Sequence, residues 1–247
     1  MAEFKQFHVG SVNADHTSRH RDLTSRQRII AADRLADGLM SRFATLEFAR
    51  TRLFSVTEFN ATAASKVFNR LDSTFDWFGS RFGSGDYTAF YWDQENGWSP
   101  QAHEGVIQIE WSDVGKFGGV VLEHETSKER VLYLTAHMPH KSRRQVDAGF
   151  NALVSCVEEH LSGARGEAVN AVIVAGDFNA APSVLQNHFS PADFRLALES
   201  DGVLTTASNA CDNVIVSDDL EFNHVGVDTS YTKFTHFPIY AQLSLTN

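Results

Sequence analysis

Scarcity marks this sequence. Only two of its 247 residues are cysteines, Cys156 and Cys211, so no disulfide framework is implied. Cys156 falls in a helical pattern as a small core residue, and Cys211 borders a strand. No apolar run approaches the roughly 20 residues of a membrane helix. The opening Met1-Ala-Glu-Phe-Lys-Gln-Phe7 lacks the basic start and apolar core of a signal peptide. A cytoplasmic protein without membrane contact is expected, and a monomer. Positive charge is also short: 21 Lys and Arg stand against 31 Asp and Glu, a net charge of −10. That balance argues against broad nucleic-acid binding through a basic surface. It does not exclude phosphate chemistry, because a metal ion can supply local positive charge. Repeats, low-complexity tracts and Pro-, Gly- or Ser-rich linkers are missing too, so residues 1–247 read as a single domain.

What is present is most informative at Ala171-Val-Ile-Val-Ala-Gly-Asp-Phe-Asn179. Val172, Ile173 and Val174 show no polar alternation and read as a strand buried on both faces. The run stops abruptly at Gly176-Asp177-Phe178-Asn179. In an extended segment the side chains of Asp177 and Asn179 share one side and converge. The open end of a strand in an α/β sheet is where ligands bind. Gly-Asp and Asn-Ala are also ordinary turn formers, so taken alone the motif reads equally as a turn or as a site.

Strand-like and helix-like segments alternate along the rest of the chain. Strands are expected at 4–12, 53–58, 88–92, 105–111, 118–124, 131–137, 171–176, 203–206, 213–217, 221–227 and 238–245. Helices are expected at 25–43, 61–71 and 145–161, with a short one opened by Pro191. Strands outnumber helices more than in a doubly wound sheet. Two packed sheets flanked by helices fit better.

Several strand tips carry polar groups. The first strand runs into Asn13, the second into Glu58, and Val131–His137 ends in an imidazole, while His236 in Phe234-Thr-His-Phe-Pro238 precedes the last strand. Each has a plain structural reading as a turn former, a solvated rim residue or a hydrogen-bonded core histidine. Together they are the types that a metal-phosphate site needs: oxygen ligands for Mg²⁺, amides and imidazoles for phosphate oxygens, and an imidazole to move a proton.

The order of these motifs resembles the endonuclease/exonuclease/phosphatase (deoxyribonuclease I-like) superfamily over nearly the whole chain. The matching segments are Ser11-Val-Asn13, Val56-Thr-Glu58, Thr135-Ala-His-Met-Pro139, Gly176–Asn179 with Pro182, Cys211-Asp-Asn-Val-Ile-Val-Ser217 and Thr235-His-Phe-Pro238. The Gly-Asp-Phe-Asn and His-Phe-Pro motifs are the specific ones. The resemblance implies an α/β fold, a four-layer sandwich of two packed mixed β-sheets flanked by helices. It implies Mg²⁺ (or Mn²⁺) on Glu58 and Asn13, and proton transfer by His236 oriented by Asp212. Asp177 would position or activate water, and Asn179 and His137 would hold phosphate oxygens. The reaction implied is metal-dependent phosphoric ester hydrolysis, foremost as a phosphodiesterase or nuclease.

One departure stands out. The family carries Asp immediately before the closing His, and here that position is Thr235. The expected metal site is thinned while the Asp212–His236 pair is intact; Asp228, seven residues upstream, has no evident claim to substitute. Two other readings follow: an enzyme for a small metabolite on the same scaffold, or a binding protein that has lost catalysis. The expected partner is nucleic acid or a phosphorylated small molecule. His140, Lys141, Arg143 and Arg144 read equally as a substrate rim or as the charged start of a helix. His16, Arg19, His20 and Arg21 read foremost as a solvated loop rather than as phosphate contacts. Trp92 and Trp98 read foremost as packing residues rather than as platforms for bases.

Overall fold

The computed structural model describes residues 6–14, 27, 30, 33–34, 36–37, 53–59, 61–71, 74–82, 86–94, 97–103, 106–190, 192–230 and 235–246. Within them the strands are β1 (Gln6–Asn13), β2 (Leu53–Phe59), β3 (Phe75–Phe82), β4 (Asp86–Asp93), β5 (Trp98–Pro100), β6 (Ala102–His103), β7 (Val106–Ile107), β8 (Ile109–Ser112), β9 (Phe117–His124), β10 (Arg130–His137), β11 (Ala171–Asp177), β12 (Phe194–Leu196), β13 (Asp212–Ser217), β14 (Leu220–Val227) and β15 (Ile239–Leu245). The helices with described bounds are α1 (Ala61–Phe68), α2 (Arg143–Leu161) and α3 (Pro182–Leu185). Residues 27, 30, 33, 34, 36 and 37 of the expected helix 25–43 are helical; the rest of it, and the basic loop from His16 to Arg21, lie outside the described residues.

The strands form two large sheets. Sheet 1 runs β14-β15-β1-β2-β4-β3, and sheet 2 runs β12-β13-β11-β10-β9-β5 with β8 also on β9. Both are mixed, because β1–β2 and β10–β11 are parallel within otherwise antiparallel ladders. The β10-α2-β11 connection is a crossover unit, the usual way to make strands parallel.

Four layers result from how residues alternate. Ala171, Ile173 and Ala175 of β11 join Val9, Leu53, Phe90, Ala241 and Leu243 of sheet 1 in the core between the sheets. Val172 and Val174 face the other way, onto Phe150, Leu153 and Val157 of α2. On the far side of sheet 1, Val56 and Tyr91 pack on Ala63, Ala64 and Val67 of α1. The expected sandwich of two mixed sheets flanked by helices is the observed architecture. No helix among the described residues is long and apolar enough to cross a membrane.

Some expected elements differ. The segment 203–206 is no ladder strand: Thr205 and Thr206 fold back on Asn209, and Thr206 forms a single bridge to His236. The short helix is opened by Pro182 rather than Pro191, which lies outside the described residues. Pro182 sits where its missing N–H is harmless, and Asp201 caps the turn from a distance through Ser183 N and Oγ. The expected strand 105–111 splits in two around Gln108. Strand β3 was not expected, since its half-exposed faces lack a clean alternation and Gly79 interrupts it. Gly79 has a packing reason, because any Cβ there would strike the Tyr87 ring.

Gly176 fixes how closely β10 and β11 approach at their tips. A Cβ there would lie 2.0 Å from the Ala136 carbonyl oxygen. Gly176→Ala is expected to cost about 3 kcal/mol through overpacking, read from urea unfolding; an unchanged midpoint would mean that the two tips separate freely.

Candidate active site

The parallel register sets His137 of β10 beside Asp177 of β11, and the antiparallel register sets Asp212 of β13 on its other side. From sheet 1, the tips of β1 and β2 bring Asn13 and Glu58 to the same end. Asn13 Nδ2 donates to Asp177 Oδ2 at 2.8 Å, linking the two sheets. His137 Nε2 lies 3.4 Å from Glu58 Oε1 and 3.9 Å from Asp177 Oδ2. His236 Nδ1 lies 2.8 Å from Asp212 Oδ2 and 4.0 Å from Asp177 Oδ2. All seven residues expected from sequence, Asn13, Glu58, His137, Asp177, Asn179, Asp212 and His236, gather here.

The local backbone explains how. β2 is regular to Val56 and then shifts register; Glu58 takes φ 45°, the irregularity by which a strand re-aims a side chain. Asn179 corrects the sequence reading. It lies beyond the strand at φ 50°, so it does not share a pleat with Asp177. The two meet through an Asx turn in which Asn179 N–H donates to Asp177 Oδ1 at 2.8 Å. Asn179 Nδ2 donates to Met138 O. The turn and the site are therefore the same structure, and Asp177 serves both with its two oxygens. Lys116 also has a positive φ, and its carbonyl accepts from His137 N.

Two neighbours escaped the sequence reading. Cys211 Sγ lies 3.5 Å from Asp212 Oδ2 and 3.8 Å from His236 Nδ1. Its adjacency to Asp212 was the only signal. Thr205 is fully buried; its hydroxyl accepts from Cys211 N and Asp212 N, and its carbonyl accepts from Phe237 N. It thereby ties Asp212 to the His236 segment, and nothing local in the sequence marks it. Thr235 is exposed. Asp228 accepts from Ser230 N and Oγ in a turn of its own.

Trp92 and Trp98 are not part of this site: they are 1% and 4% exposed and belong to the core between the sheets. The basic cluster does adjoin it. Arg143 and Arg144 open α2 after the N-cap Ser142. Lys116, His140, Lys141 and Arg144 line a cavity of about 670 Å³ with Asp113 and Gln145. Cations in the first turn oppose the helix dipole, and among the described residues only Arg143 of them finds a partner along α2, Asp147 at 3.8 Å.

Electrostatics set the protonation states. Burial, then the Asp212 charge, push the Asp177 carboxyl up. Burial alone would pull the His236 imidazolium down, but its bonds to Asp212 and Cys211 and the charges of Asp212 and Asp177 push it up to about 11. The concentration of negative charge fits a cation. Glu58 and Asn13 offer the hard oxygen donors that Mg²⁺ or Mn²⁺ takes.

No family model matches the sequence, and no curated protein matches it. Solved structures do. The human Nocturnin catalytic domain with bound sulfate aligns at a TM-score of 0.70 and 14% identity over 98% of this chain and 95% of that one. An endonuclease/exonuclease/phosphatase family protein from Bacteroides thetaiotaomicron aligns at 0.67 and 14% identity over 97% and 95%. This chain has the endonuclease/exonuclease/phosphatase fold. A mannosyl-6-phosphatase from the same bacterium shares this fold at 0.67 and 13% identity over 97% and 100%.

The raised His236 stabilises the fold fully below its unfolded value near 6.5, and that contribution is lost as pH climbs toward 11. A ring titration by NMR in metal-free protein should find His236 still protonated at about pH 8, well above an ordinary histidine. Asp212→Asn should bring its midpoint down. A wild-type midpoint near the ordinary value would show that Asp212 does not hold the ring.

Proposed function

We propose that this protein hydrolyses phosphoric esters with a divalent metal at the strand-tip site, and that its substrate is a phosphodiester in nucleic acid. The observation that carries the reading is the Asp212–His236 pair beside buried Asp177, 2.8 Å and 4.0 Å from the same ring nitrogen. The whole chain 1–247 acts as one domain in this reading, since β1 and β15 pair across its ends.

Asp177 receives the proton of the attacking water; a carboxyl pushed up by burial is a better base than an ordinary one. As the water oxygen bonds to phosphorus, the bond to the leaving oxygen breaks, and protonated His236 supplies that oxygen with a proton. Asp212 holds Nδ1, which leaves Nε2 to face the substrate. His137, with the remaining amide hydrogen of Asn179, holds the non-bridging oxygens. Glu58 and Asn13 would hold a divalent cation, Mg²⁺ or Mn²⁺, which would supply neutralisation of the charge that develops there. Lys116, Lys141 and Arg144 extend the phosphate track beyond His137, which offsets an acidic surface elsewhere.

Cleavage of plasmid, single-stranded DNA or RNA should require Mg²⁺ or Mn²⁺ and stop with EDTA. His236→Ala should lower kcat by roughly 10²–10⁴-fold, the usual worth of a general acid. Absence of turnover on any phosphoester, with no metal-dependent rise in melting temperature, would leave only a binding role. Thr235→Asp should tighten metal binding by restoring a carboxylate beside His236; unchanged affinity would place the metal elsewhere.

A second reading has its own support. The basic cavity has the volume of a small-ligand pocket, and the net charge of −10 disfavours a long polyanion. A phosphorylated metabolite then replaces nucleic acid, and turnover of small esters without cleavage of any polynucleotide would establish it.

A further inference from the structure

A second convergence of ligating side chains lies away from the strand tips. Glu110 of β8 and Cys156 and His160 of α2 bring a carboxylate oxygen, a thiol and a ring nitrogen all within 4.8 Å of one another. Cys156 and His160 are four residues apart and so share one helix face. They are 1% and 7% exposed, far too deep for the polar face of a surface helix. His160 Nε2 lies 3.3 Å from Glu110 Oε1, an ion-pair distance. Packing accounts for Cys156 as a small core residue but not for the imidazole and carboxylate that stand beside its sulfur.

We propose that Glu110, Cys156 and His160 form a Zn²⁺ site that fastens α2 to β8, separate from the strand-tip site. Thiolate, imidazole and carboxylate are the ligand set that Zn²⁺ prefers, and a thiol at this depth suits it better than an all-oxygen cation such as Mg²⁺. Arg165 holds the other oxygen of Glu110 and also Glu159, which orients the carboxylate as outer-sphere partners do. The charges balance. Zn²⁺ offsets Glu110 and the Cys156 thiolate, while Arg165 offsets Glu159. Binding releases the thiol proton to solvent. Catalysis by Cys156 is not favoured, because burial pushes its thiol up to about 12 and its sulfur is closed to substrate.

The test uses the full chain, stripped of metal and titrated with Zn²⁺ and separately with Co²⁺. Zn²⁺ should bind stoichiometrically and raise the melting temperature. Co²⁺ should bring the near-ultraviolet absorption that only a thiolate ligand gives. Cys156→Ser should abolish that absorption and weaken Zn²⁺ binding by roughly 100-fold or more, beyond what loss of an outer-sphere partner does. His160→Gln keeps the thiol but should weaken Zn²⁺ similarly, so the result does not hang on the folding of one variant. Cys211→Ser should leave both signals intact, because Cys211 stands with Asp177 and His236 in the other cluster. Failure to bind Zn²⁺ stoichiometrically, or a cobalt band that survives Cys156→Ser and vanishes with Cys211→Ser, would overturn the proposal.

Discussion

One buried carboxylate organises the strand-tip end of this molecule. Asp177 is 2% exposed, and an uncompensated charge at such depth costs several kcal/mol. Its oxygens are accordingly committed. One accepts from Asn13 in the opposite sheet and the other from the Asn179 N–H of its own turn. The apolar core between the sheets is large but non-directional. The Asn13–Asp177 hydrogen bond is directional, and it sets how the tips of β1 and β11 meet.

Around that contact the backbone leaves regular geometry. Three of the four positive-φ residues other than glycine among the described residues, Glu58, Lys116 and Asn179, lie at this end. Glu58 sits at the register shift of β2, Lys116 just before β9, and Asn179 just past β11. Irregular conformations persist where the surrounding structure over-determines them. Here the four-layer packing supplies that constraint, and the side chains of Glu58 and Asn179 are aimed by it rather than by the strand pleat.

Charge is distributed to match. The carboxylates Asp177 and Asp212 are offset from within by His236, His137 stands against Glu58, and among the described residues a group of cations lines the cavity past Met138. An acidic chain thus presents a local basic face beside its most buried acids. Thr235 adds no charge to this balance.

The architecture and the site were legible in the sequence to different depths. Uninterrupted apolar runs such as Val172–Val174 and the helical spacing of 145–161 reveal buried strands and an amphipathic helix, since burial on one or two faces imposes those periods. Gly-Asp-Phe-Asn and His-Phe-Pro mark two tips outright. β3 was hidden, because its partial exposure leaves no period to read, and 203–206 misled, because Val203 and Leu204 are exposed rather than buried in a ladder, while Thr205 and Thr206 fold back on Asn209. The sequence by itself determined which residue types stand at the tips of buried strands. Only the tertiary structure decided that Asn13 reaches Asp177 across the sheets, that Thr205 joins Asp212 to the His236 segment, and that Glu110 meets Cys156 and His160. Those contacts join residues far apart in the chain, and no local pattern encodes the packing that brings them within hydrogen-bonding or ligating distance.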